Sequence, residues 1–269
     1  MAKLDGTMTV KRYDSSDMLG IILNFPAQCE EAFGIGKTLS LPDSYKKVSK
    51  IVVTGMGGSA IGGDLLSAYC AAKGVEVPVI TNRHYKLPSF VGPDTLLIAI
   101  SFSGNTEETL SAVKEALKRK VKVLGISSGG ELVRMCWKRG VPVAVVPGRR
   151  EVPEGMTPGL PPRTAVGYLF IPALAALAGL GLVPTFQREL SEAAKLLRTM
   201  TGELAPGTPT SRNVAKRIAT SFIGKLPVIY SSCELLAPVA LRWVTQLNEN
   251  SKVLALSLIH ISEPTRLRR

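Results

Sequence analysis

The chain has few residues of the types that bind metals or form disulfides. Its 269 residues include only two histidines and four cysteines, and aromatic residues make up 6%. The cysteines are widely separated and form no Cys-x-x-Cys pair, which argues against a structural metal site and a disulfide framework. The first twelve residues are polar and contain no apolar signal region. We therefore expect no metal and a cytoplasmic location.

Acidic residues are also scarce relative to basic ones. The chain has 33 lysines and arginines against 21 aspartates and glutamates, which gives a formal net charge of +12. Such a balance can attract nucleic acid, but the basic residues are spread along the chain and no nucleic-acid-binding motif is recognisable. Basic charge also draws anionic metabolites toward a cleft. The composition favours a small anionic ligand over a nucleic acid.

Only one uncharged stretch, residues 165–183, is long enough to span a membrane. It is rich in alanine and glycine and contains Pro172, so its insertion into a bilayer would be marginal. We interpret this stretch as a helix buried between domains or subunits, and we expect no membrane association.

Nucleotide-binding loops are missing as well. The glycine-rich segment 55–63, which we expect to form a loop after the first apolar run, lacks the spacing of the dinucleotide fingerprint, because Ala60 stands where a glycine is needed. The second apolar run ends at Asn82 rather than at an acidic residue that would bind a ribose hydroxyl. No Gly-Lys-Ser/Thr sequence follows the glycines. We therefore expect no nucleotide and no other cofactor.

Five short apolar runs alternate with helical patterns. The runs are Ile51–Thr54, Val77–Thr81, Leu96–Ile100, Val121–Ile126 and Pro142–Val146, and the helical patterns include Gly63–Lys73, Asn105–Lys120 and Gly130–Arg139. Alternation of this kind predicts an α/β fold in which a parallel sheet is flanked by helices. Ligands of such sheets bind beyond the carboxyl ends of the strands.

A hydroxyl-rich loop follows the third run. Its side-chain donors are Ser101, Ser103, Asn105, Thr106 and Thr109. Asn105 and Glu108 resemble a capping box, which predicts that a helix begins at Asn105. Unpaired amides and the helix dipole make such an end a site for a phosphate group. The alternative is an ordinary strand-to-helix turn, which uses the same residue types.

Several segments together resemble a known family. They are Gly57-Gly58-Ser59, Asn82-Arg83-His84-Tyr85-x-Leu87-Pro88, residues 101–109, Pro161-Pro162-Arg163 and the stretch 242–250, which contains Gln246-Leu247-Asn248-Glu249-Asn250. The hydroxyl-rich loop is typical of sugar isomerase (SIS) domains generally. In combination, the segments are similar to the bifunctional phosphoglucose/phosphomannose isomerase family.

The resemblance implies an enzyme that interconverts glucose 6-phosphate or mannose 6-phosphate with fructose 6-phosphate through an enediolate. It assigns Glu249 as the base and Arg163 as the group that stabilises the enediolate oxygen. It further assigns Gly57, Gly58 and Ser59 to the sugar and Ser101, Ser103 and Thr106 to the phosphate. From the residues alone, Glu249 would be a surface carboxylate, and Arg163 a loop arginine paired with Glu151 or Glu154.

The resemblance also implies two SIS subdomains and a homodimer. We expect the first subdomain in residues 1–150 and the start of an incomplete second one in residues 151–253. Residues 254–269 resemble translated adapter sequence and are expected to be a non-native tail. His260 lies outside the family's sequence context for its ring-opening histidine, and His84 is interpreted as structural. No residue matches the family's lysine near the carboxyl end, so this chain is expected to bind sugar phosphate even if turnover is lost.

Two other functions remain open from the sequence. SIS domains also serve as non-catalytic regulatory modules that bind sugar phosphates, although such modules commonly carry a DNA-binding helical domain that residues 1–50 do not suggest. An isomerase domain that handles amino sugars within a transferase is a further alternative.

Overall fold

A single parallel sheet organises most of the molecule. The computed structural model describes residues 4, 5, 12–148 and 160–258. The strands of the sheet are β1 (Lys50–Thr54), β2 (Val79–Asn82), β3 (Thr95–Ile100), β4 (Lys122–Ser127) and β5 (Val143–Val145). They are hydrogen-bonded in the order β2-β1-β3-β4-β5, and every neighbouring pair is parallel. The predicted fold class and all five strands are confirmed.

Helices cover both faces of this sheet. The amino-terminal helices are α1 (Met18–Leu23) and α2 (Phe25–Lys37), and those between the strands are α3 (Gly57–Ala72), α4 (Glu107–Lys118) and α5 (Gly130–Arg139). Alternate residues of a strand point to opposite faces. In β3, Leu96 and Ile98 therefore join a core with α2, while Leu97 and Ala99 join a second core with α4 and α5.

The uncharged stretch forms a buried helix, α6 (Val166–Gly179). Nearly all of its residues are buried, and it packs closely against α2. A Cβ atom on Gly36 of α2 would lie 2.6 Å from the Cβ of Ala175, so the two backbones approach to a distance that only small residues allow. Among the described residues, no helix is long and apolar enough to cross a membrane.

The prediction that a loop runs from Gly55 to Gly63 was wrong. Helix α3 already begins at Gly57, so Gly57, Gly58 and Ser59 form its first turn. The later glycines lie within α3, at positions where other elements pack closely against the helix. A Cβ atom on Gly62 would lie 3.0 Å from the Leu169 carbonyl oxygen, and one on Gly63 would lie 2.8 Å from Val53 Cγ1.

Helix α7 (Gln187–Glu203) packs against α2, and α8 (Val214–Ser221) follows it. The remaining elements are β6 (Val228–Tyr230), α9 (Ala237–Gln246) and β7 (Leu256–Leu258). They form a smaller unit in which β6 and β7 pair in parallel and contact α9. Large apolar side chains are exposed on this unit: Val228, Tyr230, Leu235, Leu236, Val239, Leu241, Trp243, Leu256 and Leu258. Strand β7 falls within the predicted tail, whose residues from 259 onward lie outside the described part of the chain.

Candidate functional site

The two predicted loops begin side by side at the carboxyl edge of the sheet. Thr54, the last residue of β1, pairs with Ala99 near the end of β3. The chain segments that follow remain in contact, because a Cβ atom on Gly55 would lie 2.9 Å from the Ile100 carbonyl oxygen. Gly55 thus allows the start of α3 to approach the hydroxyl-rich loop directly.

The hydroxyls of the second loop have different surroundings. Ser101 is fully buried, and its Oγ lies 2.9 Å from Thr106 Oγ1 and accepts a hydrogen bond from the Gly104 amide at 3.1 Å. Ser103 is exposed, and its Oγ accepts a hydrogen bond from the Asn105 amide at 3.2 Å. The Ser101 hydroxyl thus fixes the shape of the loop, while Ser103 is exposed and Thr106 is half-buried.

The predicted capping box at Asn105 and Glu108 is not formed. Thr106 is the N-cap residue of α4, and it makes no side-chain cap hydrogen bond. The Asn105 side chain instead accepts a hydrogen bond from the Glu131 amide at 3.0 Å, so it caps α5. A distant helix therefore takes the side chain that was expected to cap α4. The first amides of α4 keep the unpaired, positive character that attracts an anion.

Glycine 104 joins the hydroxyl-rich loop to the segment after β4. Its φ of +70° lies in the left-handed region, and its carbonyl oxygen accepts a hydrogen bond from the Leu132 amide at 2.9 Å. A Cβ atom on Gly104 would overlap the Gly129 carbonyl oxygen. The two segments are therefore locked together at a position that no side chain can occupy.

We expect Gly104→Ala to lower the free energy of unfolding by about 3 kcal/mol, because left-handed strain and overpacking add together. Gly140→Ala is the matched control, since its φ is +63° but nothing lies within 4 Å of its would-be Cβ. That variant should lose only about 1 kcal/mol from backbone strain. Urea unfolding followed by circular dichroism measures both values, and equal losses would contradict the proposed overlap.

The segment that carries Arg163 is held in place by a side chain of α2. A 3₁₀ turn over Pro162–Thr164 leads into α6. The buried Gln28 of α2 donates its Nε2 to the Thr164 carbonyl oxygen at 3.1 Å and accepts a hydrogen bond from the Gly167 amide at 2.9 Å. Gln28 could not be identified from the sequence, since only its distant partners reveal its role.

The Arg163 turn also contacts the segments on either side of it. A Cβ atom on Gly58 would lie 3.7 Å from the Pro162 carbonyl oxygen, which places the turn beside the start of α3. The Arg163 carbonyl oxygen accepts hydrogen bonds from Arg242 Nη2 at 2.9 Å and from Gln246 Nε2 at 3.3 Å. Arg163 Nε is buried and has no hydrogen-bond partner among the described residues.

Glu249 lies in a π-helical turn, Leu247–Ser251, that continues α9. Its side chain is exposed, and its carbonyl oxygen accepts a hydrogen bond from Lys252 Nζ at 2.7 Å. Burial lowers the pKa of the Arg242 guanidinium, and the charge of the Glu249 carboxylate acts in the opposite direction. Arg242 and Glu249 are therefore close enough to interact electrostatically.

Predicted site residues thus occur on four neighbouring structural elements. The first turn of α3 contains Gly57, Gly58 and Ser59, and the loop before α4 contains Ser101, Ser103 and Thr106. Arg163 precedes α6, and Glu249 follows α9. Helix α9, which leads into the Glu249 turn, packs against α3. In the described residues, no group of three or more histidine, cysteine, aspartate or glutamate side chains is arranged to hold a metal ion.

His84 and His260 do not extend this arrangement. The His84 side chain is exposed, and its carbonyl oxygen accepts a hydrogen bond from the Asn82 side chain at 3.1 Å. His260 lies outside the described residues. The structure thus adds no histidine to the candidate site from the residues that it describes.

Two family models match the chain. The SIS domain model matches residues 44–139, which include the glycine turn and the hydroxyl-rich loop. A model described as the bacterial phospho-glucose isomerase C-terminal SIS domain matches residues 211–261, which include Glu249 and part of the predicted tail.

Curated relatives resemble most of the chain. A bifunctional phosphoglucose/phosphomannose isomerase from Caldicellulosiruptor bescii is 40% identical over 235 residues, which is 87% of this chain and 66% of the relative. An enzyme of the same name from Thermoplasma acidophilum is 41% identical over 213 residues, 78% of this chain and 58% of the relative. The chain therefore spans less than two thirds of the length of each of these relatives.

A solved structure supports the fold. The C-terminal domain of glucosamine-fructose-6-phosphate aminotransferase from Francisella tularensis matches with a TM-score of 0.63 and 17% identity, over 90% of this chain and 69% of that one. At this identity the likeness shows that the chain has the SIS fold.

Proposed function

Since this chain belongs to the bifunctional phosphoglucose/phosphomannose isomerase family, we propose that it is an aldose–ketose isomerase. Its substrates would be glucose 6-phosphate or mannose 6-phosphate, interconverted with fructose 6-phosphate. One observation carries the proposal: Pro162 lies beside Gly58, and the Arg163 carbonyl is bound by the helix that leads to Glu249. Three segments far apart in sequence thus come together near the start of α3.

The phosphate of the substrate binds at the start of α4. Ser103 and Thr106 donate hydroxyl groups, Ser101 maintains the loop, and the uncapped amides and dipole of α4 favour the negative charge. Gly57, Gly58 and Ser59 lie in the first turn of α3, where the missing side chains at two positions let the sugar approach the backbone.

Isomerisation moves a proton between two adjacent carbons. Glu249 takes the proton from C2 of the open-chain aldose and returns it to C1 of the resulting enediolate, while the proton of the C2 hydroxyl passes to O1. The Arg163 guanidinium stabilises the negative charge that develops on the enediolate oxygen. This chemistry transfers only protons, so the proposal includes no cofactor.

We also propose the assembly and organisation that the family resemblance implies. The protein would be a cytoplasmic homodimer, and the exposed apolar side chains around Trp243 and Tyr230 offer a surface for a partner subunit. Residues 1–150 would form the first SIS subdomain and residues 151–253 the start of the second, with α6 packed onto the first. Residues 254–269 remain a predicted non-native tail.

The test is a coupled assay of fructose 6-phosphate formation from glucose 6-phosphate and from mannose 6-phosphate, together with calorimetric titration of each sugar phosphate. Turnover of either substrate is expected. Binding without turnover would favour a non-catalytic, sugar-phosphate-binding module instead. Absence of binding would contradict the assignment of the site.

A further inference from the structure

Two side chains of α9 bind the same main-chain atom. Arg242 and Gln246 are four residues apart and therefore lie on one face of the helix. Both donate hydrogen bonds to the carbonyl oxygen of Arg163, at 2.9 and 3.3 Å. A carbonyl oxygen has two lone pairs, so these two donors satisfy it completely.

The orientation of the Gln246 amide is fixed by a further contact. Asn250 Nδ2 donates a hydrogen bond to Gln246 Oε1 at 2.9 Å. Because the Gln246 oxygen accepts from Asn250, its nitrogen is the atom that faces Arg163. A continuous set of hydrogen bonds thus runs from the Glu249 turn, which contains Asn250, to the Arg163 turn.

The Arg163 side chain depends on this main-chain placement. Its Nε is buried and has no hydrogen-bond partner among the described residues. No carboxylate of the described residues forms an ion pair with it. Glu151 and Glu154, the alternative partners of Arg163, lie outside the described residues. Among the described residues, the hydrogen bonds of Arg163 to α9 are made by its main chain, which fixes where its side chain begins.

It is unusual for the charged side chain of a partly buried arginine such as Arg242 to bind a main-chain carbonyl group. Arg242 is half-buried, and burial lowers the pKa of its guanidinium. Its recorded hydrogen bond goes to a neutral carbonyl oxygen rather than to a carboxylate. The charge of Glu249 offsets part of the cost of burying this guanidinium, while Arg242 binds the Arg163 turn.

We propose that Arg242 and Gln246 are positioning residues, which hold the Arg163 turn and the Glu249 turn in a fixed relation to each other. This inference rests on the proposed isomerase function. It predicts that loss of either donor weakens recognition of the enediolate, which requires Arg163 and Glu249 together. Recognition of the phosphate, which depends on the loop before α4, should be unaffected.

The experiment compares two ligands by calorimetry on the full chain. Sorbitol 6-phosphate is an open-chain phosphate without enediolate character, and 5-phospho-arabinonohydroxamate mimics the enediolate. Arg242→Met is expected to weaken binding of the hydroxamate about tenfold, the loss typical of a charge-assisted hydrogen bond. Binding of sorbitol 6-phosphate should stay the same. Gln246→Met should show the same selectivity with a smaller loss.

The double variant tests whether the two donors act on one atom. Each single variant leaves one donor on the Arg163 carbonyl, whereas the double variant leaves a partly buried acceptor unpaired. Its loss of hydroxamate affinity should therefore exceed the product of the two single losses. Arg242→Lys keeps the charge but not the planar donor group, so it should resemble Arg242→Met. Arg188→Met, at an exposed arginine of α7, is the matched control and should bind both ligands as the unmodified chain does.

The outcomes separate this inference from the proposed function. Equal weakening of both ligands would show a general structural loss and would overturn the positioning role, as would unchanged hydroxamate affinity in both single variants. If Arg242→Lys binds the hydroxamate as tightly as the unmodified chain, the charge at position 242 matters and its planar donor group does not, which would contradict the assigned positioning role. If the unmodified chain binds neither ligand, the proposed function itself fails.

Discussion

Glu249→Gln is expected to lower kcat for the isomerisation of glucose 6-phosphate by about 10²- to 10⁴-fold, which is the usual contribution of a positioned general base. Glutamine has nearly the same shape as glutamate but cannot accept the substrate proton. KM should change little, because the phosphate binds at the start of α4 and not at the π-helical turn. Steady-state kinetics of the coupled assay measures both parameters.

A second readout follows the proton directly. In deuterium oxide the unmodified chain should exchange the C2 hydrogen of the substrate with solvent, as NMR can record, and Glu249→Gln should not. Glu203→Gln is the matched control, since this exposed carboxylate of α7 lies outside the site. Exchange that persists in Glu249→Gln would assign the base to another residue.

Arg163→Met is expected to reduce kcat by about 10²- to 10³-fold, or about 3–4 kcal/mol of transition-state stabilisation, as does the loss of one oxyanion donor in other enzymes. Methionine keeps much of the aliphatic stem and removes the charge. The main-chain carbonyl remains available to Arg242 and Gln246, so the fold of the turn should be retained. Kinetics and a circular dichroism melt measure activity and stability separately.

Chemical rescue distinguishes the missing group from a disturbed fold. In Arg163→Ala, guanidinium ion added at millimolar concentration should restore part of the lost turnover, because it can occupy the space of the missing side chain. Arg188→Met is the control for removal of an exposed arginine. A loss in kcat below about tenfold for Arg163→Met would contradict the assigned role, since a charge that stabilises the enediolate contributes more.

The sheet could be predicted from the sequence because its three central strands are buried on both faces. Leu96–Ile100 has no exposed residue, and such a run differs clearly from the amphipathic pattern of Asn105–Lys120. The start of α3 could not be predicted, since glycine disfavours helices locally. Tertiary contacts of Gly62 and Gly63, which no local pattern reveals, override that preference.

The candidate site was predictable only where a motif carries it. The hydroxyl-rich loop and the Glu249 segment could be recognised from residue types in sequence order. The cap formed by Asn105 was misassigned because its partner, Glu131, belongs to the next helix. Gln28 had no signal at all, since a glutamine within a helix is ordinary until its buried partners are known.

The hydrogen bonds of Gln28 also affect the order in which contacts form while the chain is synthesised. Its partners lie 136 and 139 residues further along the chain. At about 5–20 residues per second, synthesis supplies the first partner about 7–27 s after Gln28. Until then the amide of Gln28 has neither of these partners and cannot be buried without cost. The contact of α2 with the turn that carries Arg163 can therefore form only after the strands of the five-stranded sheet have been synthesised.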